Sequence, residues 1–471
     1  MRKIILPLSL ALVVTLSPGV HAEVTSANSL PKVLTLAEAI QFGLAHYPSI
    51  LAAVSRVSAA QSGVDLSRTA YLPRVEMGYQ ANRGTFNNVS GLWFLNSFTP
   101  PISGPDLGLR SGATAWGSSA GAGAAWEPFD FGLRAANVAT AESVERQSRA
   151  AVNLTQLQVA AGVADAFLYL VAAEETVKAM KADVDRRQIF ADTAGVLVKN
   201  RLRPGVDASR ANAELAGART QFIQAEQNRD IARAKLAEVL GVAGERVSID
   251  PAPLLGLPER PLQETELTAH PLALVQEATV DVLRHRKEAW NYAWVPKVLL
   301  QGGVFGRGTG WDAQGHHAGG LTGLGPDVPN YAGGLTFTFS FFDVVSIRAN
   351  RAAEAHHETA EQARYHEILQ ELRGADARAR AVVDGARRIA ENTPIQVDAA
   401  QQTEAQARAR YQAGLATVVE VAEAQRLLVQ ASIDNALARL GVWRSLLGSA
   451  TALGNLQPFI DLLQLSRSGD S

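Results

Sequence analysis

The chain contains no cysteine, and that absence removes several functions at once. No disulfide framework, thiolate metal site or lipid anchor on a cysteine can form. Charge of one sign is also missing: 44 Lys and Arg stand against 46 Asp and Glu, a formal net charge of −2. No nucleic-acid partner is implied. Catalytic constellations are absent as well. There is no Ser-His-Asp arrangement, paired catalytic carboxylates or zinc motif, so neither an enzyme nor a cofactor is expected. GVFGRGTG resembles a phosphate loop superficially, but no helix follows at once and no Lys-Ser/Thr ends it. His316 and His317 are adjacent and lack a third ligand. His356, His357 and His366 lie on a long helical stretch without i, i+4 spacing, so no metal site is expected.

Long apolar runs are scarce too. One opens the chain, MRKIILPLSLALVVTLSPGVHAEV, with Arg2 and Lys3 before an apolar core and Val20-His21-Ala22 after it. It reads as a secretory signal, residues 1–22, cleaved after Ala22. The mature chain would then have 449 residues (471 minus 22). Beyond the signal no long uncharged run stands out, so no spanning helix is expected. A membrane crossing would have to use strands.

What is present is a repeat. Pro48-Ser49-Ile50-Leu51 and Pro271-Leu272-Ala273-Leu274 are 223 residues apart, as are Tyr71-Leu72-Pro73 and Trp294-Val295-Pro296. Phe129-Asp130 and Phe342-Asp343 differ by 213, as do Leu240-Gly241 and Leu453-Gly454. The second copy has therefore lost ten residues between its two strand regions. The copies fall in 23–241 and 262–454, with a Pro-rich connection over 242–261 and a tail over 455–471.

Each copy has the same order. A helix of about 35 residues, starting at Leu36 in the first, ends at a proline. A β-hairpin follows, over 74–128 and 297–342, then a long helical hairpin over 132–241 and 344–454. In LTFTFSF, Leu335, Phe337, Phe339 and Phe341 alternate with small polar residues. That pattern suits a strand with lipid on one face and water on the other. From Leu133 to about Asn200 there is no proline, and a helix of that length extends roughly 100 Å. Ala211, Ala218, Ala225 and Ala232 recur every seven residues, as do Ala424, Ala431 and Ala438. Small residues on a heptad seam place helices side by side at close distance.

Two copies supply four strands. Four strands in lipid leave unpaired edge groups, and a barrel needs at least eight, so the chain must associate. The sequence pattern does not choose between two chains and three.

The double copy, the Tyr/Trp-x-Pro before the first strand and RYQAGLATVVEVAEAQRLLVQA resemble the TolC family of outer-membrane exit ducts. The resemblance covers nearly the whole mature chain. It implies an α+β membrane protein in which a homotrimer forms a 12-stranded β-barrel in outer-membrane lipid, continued by an α-helical barrel through the periplasm of a Gram-negative bacterium. It also implies a periplasmic adaptor (membrane fusion) protein and an inner-membrane transporter of RND, ABC or MFS type as partners.

The resemblance assigns the region after Tyr411 to the closed periplasmic tip. Gly414 is the turn glycine, and Glu420 and Glu423 face the tunnel axis as an aperture ring. Like charges in such a ring should raise some carboxyl pKa values and favour cations. Tyr411 and Asp207 match positions that tie neighbouring hairpins together. Gly205-Val206 and Gly414-Leu415 match spots that receive the adaptor. The family often has a basic residue two places after the glycine; here it is Ala416. In the first copy, NRLRPGVDASRANAEL pairs Arg201 and Gly205 with Arg410 and Gly414. Between glycine and acid that copy has four fewer residues, which predicts two tips of different shape.

The function expected is a passive exit duct, for multidrug or small-molecule efflux. Type I protein secretion and metal-ion efflux are alternatives within that class. A secreted coiled-coil scaffold without a pore is opposed by the amphipathic strands, and an autonomous porin by the long helices.

Overall fold

The computed structural model describes residues 32–85, 112–258, 267–311, 316 and 318–468. The signal segment, His317 and part of the inter-repeat connection lie outside the described residues.

The first repeat begins with α1 (Leu36–His46) and α2 (Pro48–Thr69). These replace the single helix of about 35 residues expected there. Pro48 is the cause: it disfavours helical backbone at Tyr47, which is extended at φ −71°, ψ 125°, and it opens α2 at its first position. Then come β1 (Arg74–Thr85), β2 (Thr114–Phe129), α3 (Leu133–Lys199) and α4 (Gly205–Val239). The second repeat supplies α5 (Pro271–Ala289), β3 (Lys297–Thr309), β4 (Val328–Thr338), α6 (Asp343–Gln412) and α7 (Val418–Ala452), and α8 (Gln457–Ser468) ends the order. The starts of α2 and α5, and of β1 and β3, differ by 223 residues; both ends of α4 and α7 differ by 213.

The four strands form one antiparallel sheet in the order β1-β2-β3-β4. Directly paired residues share a face, so the register sorts the side chains. Val75, Met77 and Tyr79 oppose Ala124, Ala122 and Ala120. Those oppose Gly302, Val304 and Gly306, and β4 adds Tyr331, Leu335 and Phe337 opposite Val304, Leu300 and Val298. Over these positions one face is apolar across all four strands; toward the end of β1 the same face also carries Arg83, over the Trp116 ring. The other carries Arg74, Glu76, Gln80 and Asn82 on β1 and Gln301 and Arg307 on β3. Phe339 and Phe341 fall past Thr338, where β4 ends, so only Leu335 and Phe337 of the expected set belong to the strand. Phe339 and Phe341 stay exposed in the link to α6, and Phe341 stacks edge-on against Phe342.

Below the sheet, α2, α3, α5 and α6 stand side by side in that order, with α4 against α3 and α7 against α6. The wall therefore has the order of the strands above it. Ala211, Ala218, Ala225 and Ala232 are all buried, as are Ala424 and Ala431. The heptad alanines are thus the packing seam. The largest core lies where the repeats meet and includes Phe167, Leu170, Leu236, Trp443 and Phe459. Trp443 donates its indole N–H to the Gly256 carbonyl at 2.9 Å and packs edge-on against Phe459. Part of α3 is long and apolar enough to cross a membrane by composition alone, but 56% of that stretch is buried.

Two features of the second repeat have no equal in the first. His270 caps α5: its Nδ1 accepts the Leu272 N–H at 3.0 Å, while Nε2 donates to the Thr451 carbonyl at 3.2 Å. Burial holds this imidazole below its ordinary pKa. The equivalent residue, Tyr47, makes no side-chain cap. The second feature is Pro394, inside α6. It cannot donate to the Ala390 carbonyl one turn back. The Thr393 hydroxyl lies 3.5 Å from that oxygen and 3.0 Å from Asn435 Oδ1.

Candidate functional site

The ends of the two helical hairpins lie together. At the first, α3 closes with Asn200 as C-cap and Arg201 in the left-handed conformation at φ 60°. The Leu202 N–H returns to the Leu197 carbonyl and the Arg201 N–H to Val198. At the second, Ala413 is the C-cap and Gly414 is left-handed at φ 80°. The Leu415 N–H returns to Arg410 and the Gly414 N–H to Tyr411. Every pair of equivalent residues differs by 213. Both ends are the same Schellman closure.

This overturns the expected difference in tip length. Anchoring the alignment on glycine paired Gly205 with Gly414, but Gly205 is the first residue of α4, and a side chain there would meet nothing. The counterpart of Gly414 is Arg201. An arginine can take a left-handed turn when two backbone bonds hold it there, at a cost of roughly 1–2 kcal/mol. Neither tip has lost residues. The apolar pairs are therefore Leu202 with Leu415 and Val206 with Val419, all four exposed.

Between the tips lies a small core of Phe190, Ala191, Ala194, Ala211, Leu215, Tyr411, Ala416, Val418 and Val421. Both hairpins contribute to it. Tyr411 is 0% exposed, and its ring meets Phe190 edge-on at 5.0 Å between centroids. Its hydroxyl donates to Asp207 Oδ2 at 3.2 Å. Burial, then the Asp207 charge, pushes the phenol pKa up. The structure thus brings Tyr411 and Asp207 together between the two hairpins of one chain.

Glu420 and Glu423 lie fully exposed on the first turns of α7. Glu420 closes a capping box: its Oε1 accepts the Thr417 N–H at 3.0 Å, and its own N–H reaches Thr417 Oγ1 at 3.4 Å. Hydrogen bonding from the Thr417 backbone lowers its pKa. Glu423 pairs with Arg426 at 2.6 and 3.1 Å, and that bond lowers its pKa too. Within a chain both shifts run opposite to the rise expected of a ring of like charges. A ring acts only between chains, and these local partners oppose it.

Several tip residues escaped the sequence reading. Thr417-x-x-Glu420 is a capping-box pattern and was readable. Arg426, three residues beyond Glu423, is an i, i+3 partner and was readable as well. Arg203 carried no local signal. Its guanidinium lies 4.4 Å from the Tyr411 ring centroid and donates to the carbonyls of Tyr411 and, at 3.2 Å, Ala416.

The family described as Outer membrane efflux protein matches residues 39–242 and 266–455, both repeats and most of the chain. The chain belongs to that family. Protein CyaE of Bordetella pertussis is 29% identical over 244 residues, an alignment covering 51% of this chain and 45% of CyaE. Among solved structures, the outer membrane protein VceC of Vibrio cholerae has a TM-score of 0.69 at 17% identity, covering 89% of this chain and 96% of VceC. The open state of the MtrE outer membrane channel of Neisseria gonorrhoeae has a TM-score of 0.68 at 18% identity, covering 89% of each chain. At such identities the likeness shows the fold. The family is one of outer membrane efflux proteins, and the fold is the one that the VceC and MtrE structures share.

Proposed function

We propose that three copies of this efflux-family chain close into one exit duct through the outer membrane and periplasm. The observation that carries this reading is a pair of open edges. Among the described residues β1 and β4 each have one unpaired side, and so do α2 and α6 in the wall below. Leu51 and Leu66 on α2 and Val345 on α6 are exposed. Ring closure seals the sheet and the wall together, and it leaves no strand edge in lipid. Four strands per chain need at least two chains. The resemblance to the TolC family favours three chains and twelve strands, with the apolar face outward in lipid.

The duct is passive, and an inner-membrane transporter working through a periplasmic adaptor drives export. The cargo class favoured is small molecules, with secreted protein or metal ions as alternatives. Tyr411 and Asp207 hold the closed tip. Glu420 and Glu423, repeated around the axis, form the aperture ring and favour cations. The tips receive the adaptor at Val206 and Leu415, beside Gly205 and Gly414, with Leu202 and Val419 as their equivalents.

The test is expression of the full chain in a Gram-negative host, membrane fractionation, native mass spectrometry in detergent and planar-bilayer recording. The reading expects outer-membrane recovery, three copies and a small, cation-preferring conductance that Glu420→Gln/Glu423→Gln makes less selective. Recovery in the aqueous fraction sinks it, and unchanged selectivity removes the ring.

A further inference from the structure

We infer that Arg203 clasps the two hairpin tips of one chain together and so helps hold the closed end shut. The inference rests on the duct reading above. Its basis is where the charge comes from. Under the 213-residue offset Arg203 is the equivalent of Ala416, so the second tip lacks a basic group where the first has one. Arg203 reaches across from the first tip and fills the second. It donates to the Tyr411 and Ala416 carbonyls, oxygens at the two ends of the turn that Gly414 makes. Its guanidinium also lies over the ring of Tyr411.

Three kinds of contact therefore hold the same junction. The apolar core beneath joins Phe190, Ala194 and Leu215 of the first hairpin to Tyr411, Val418 and Val421 of the second. Asp207 accepts the Tyr411 hydroxyl. Arg203 covers the top with charge-assisted bonds and a cation–π contact, each stronger when water is excluded. The stack runs from Asp207 through the Tyr411 ring to Arg203, so the phenol is held at its hydroxyl and over its ring. Farther along the same two helices, Arg444 of α7 pairs with Asp165 of α3 at 2.7 Å. Leu202, Val206, Leu415 and Val419 are left exposed on the outside of this junction. Those are the surfaces free to change partners.

Lysine would not replace Arg203. Both carbonyl bonds leave one nitrogen, Nη2, and an ammonium carries donors enough for them, but it lacks the flat face that stacks on the Tyr411 ring. The experiment is planar-bilayer recording of the assembled full-length channel carrying Arg203→Ala, Arg203→Lys, or Asp207→Ala. Outer-membrane recovery and copy number are checked for each. Arg203→Ala should raise the open fraction about tenfold, the scale of losing charge-assisted bonds and a cation–π contact. Arg203→Lys should fall between it and the wild type. Should the alanine variant fail to assemble, the lysine variant decides: wild-type conductance with lysine overturns the assignment. An unchanged Arg203→Ala channel beside an Asp207→Ala channel that opens also overturns it, and leaves the duct reading standing. If no variant changes conductance, the closed-tip reading and this inference fall together. If no chain conducts in any form, the duct reading itself has failed.

Discussion

At the first tip an arginine, Arg201, takes the left-handed conformation that the second tip gives to Gly414. Three residues later Pro204 precedes α4 without a side-chain cap, where Thr417 builds a capping box with Glu420. Arg203 faces outward from the first turn and into the second, whose own equivalent is the buried Ala416. Yet the backbone bonds of the two turns match residue for residue. Turn shape here is set by the Schellman bonds, and side chains are left to do unlike work. The first tip holds its neighbour, and the second displays carboxylates.

The largest expected effect falls on the shared core. Tyr411→Ala removes a wholly buried aromatic between the hairpins and should cost about 3–5 kcal/mol. Its first-tip equivalent, Val198, is half-buried, and Val198→Ala should cost about 1 kcal/mol. Thermal midpoints of the detergent-solubilised channel would measure both, and equal losses would break the comparison. Next come the left-handed positions. Gly414→Ala should destabilise by about 1 kcal/mol, and Arg201→Gly should stabilise by a similar amount. A side chain at Gly414 would touch nothing within 4 Å, so the cost there is conformational. If Arg201→Gly lowered the midpoint, the arginine side chain would be holding something at the first tip. Thr417→Ala should cost about 1 kcal/mol through loss of its cap. No substitution at Pro204 should match that loss through capping.

How much of this was readable in the sequence depends on what kind of signal each feature leaves. The repeat offsets, the order of elements in each copy and the heptad alanines leave periodic marks, and periodicity survives in one dimension. The break at Tyr47-Pro48 left a mark as well, because a proline at a helix start is local chemistry. The tip register was misread because glycine was taken as the sign of a turn, while Arg201 occupies that turn without one. Phe339 and Phe341 continue an alternation that the hydrogen-bond ladder does not follow, since pairing with β3 stops at Lys297. Arg203 left no such mark: it acts on residues 208 and 213 positions away, and although the repeat offset makes it the equivalent of Ala416, equivalence in a repeat does not imply contact.

The smallest expected effect compares the other ends of the two repeats. His270 is neutral and accepts a backbone N–H, and its folded pKa lies below the ordinary imidazole value. The unfolded chain therefore binds a proton more readily as pH falls. The stabilisation is complete above about pH 6.5 and is lost as pH drops below it toward the folded pKa. His270→Asn, which can still cap α5, should flatten the midpoint between those pH values. A midpoint just as acid-sensitive in that variant would assign the effect elsewhere.

Pro394 gives the molecule a lever. It lies 18 residues (412 minus 394) before the end of α6, about 27 Å along the rod. Its first-repeat equivalent, Lys181, sits in an α3 with no interior proline. One rod runs from the sheet to its tip without an interior proline, and the other has one missing rung in its hydrogen-bond ladder, where it bends more easily. With the tips clasped, a sideways load on α3 passes to α6, which bends first at Pro394. In a ring of three chains, three such points would share one height and act as a flexible collar around the duct.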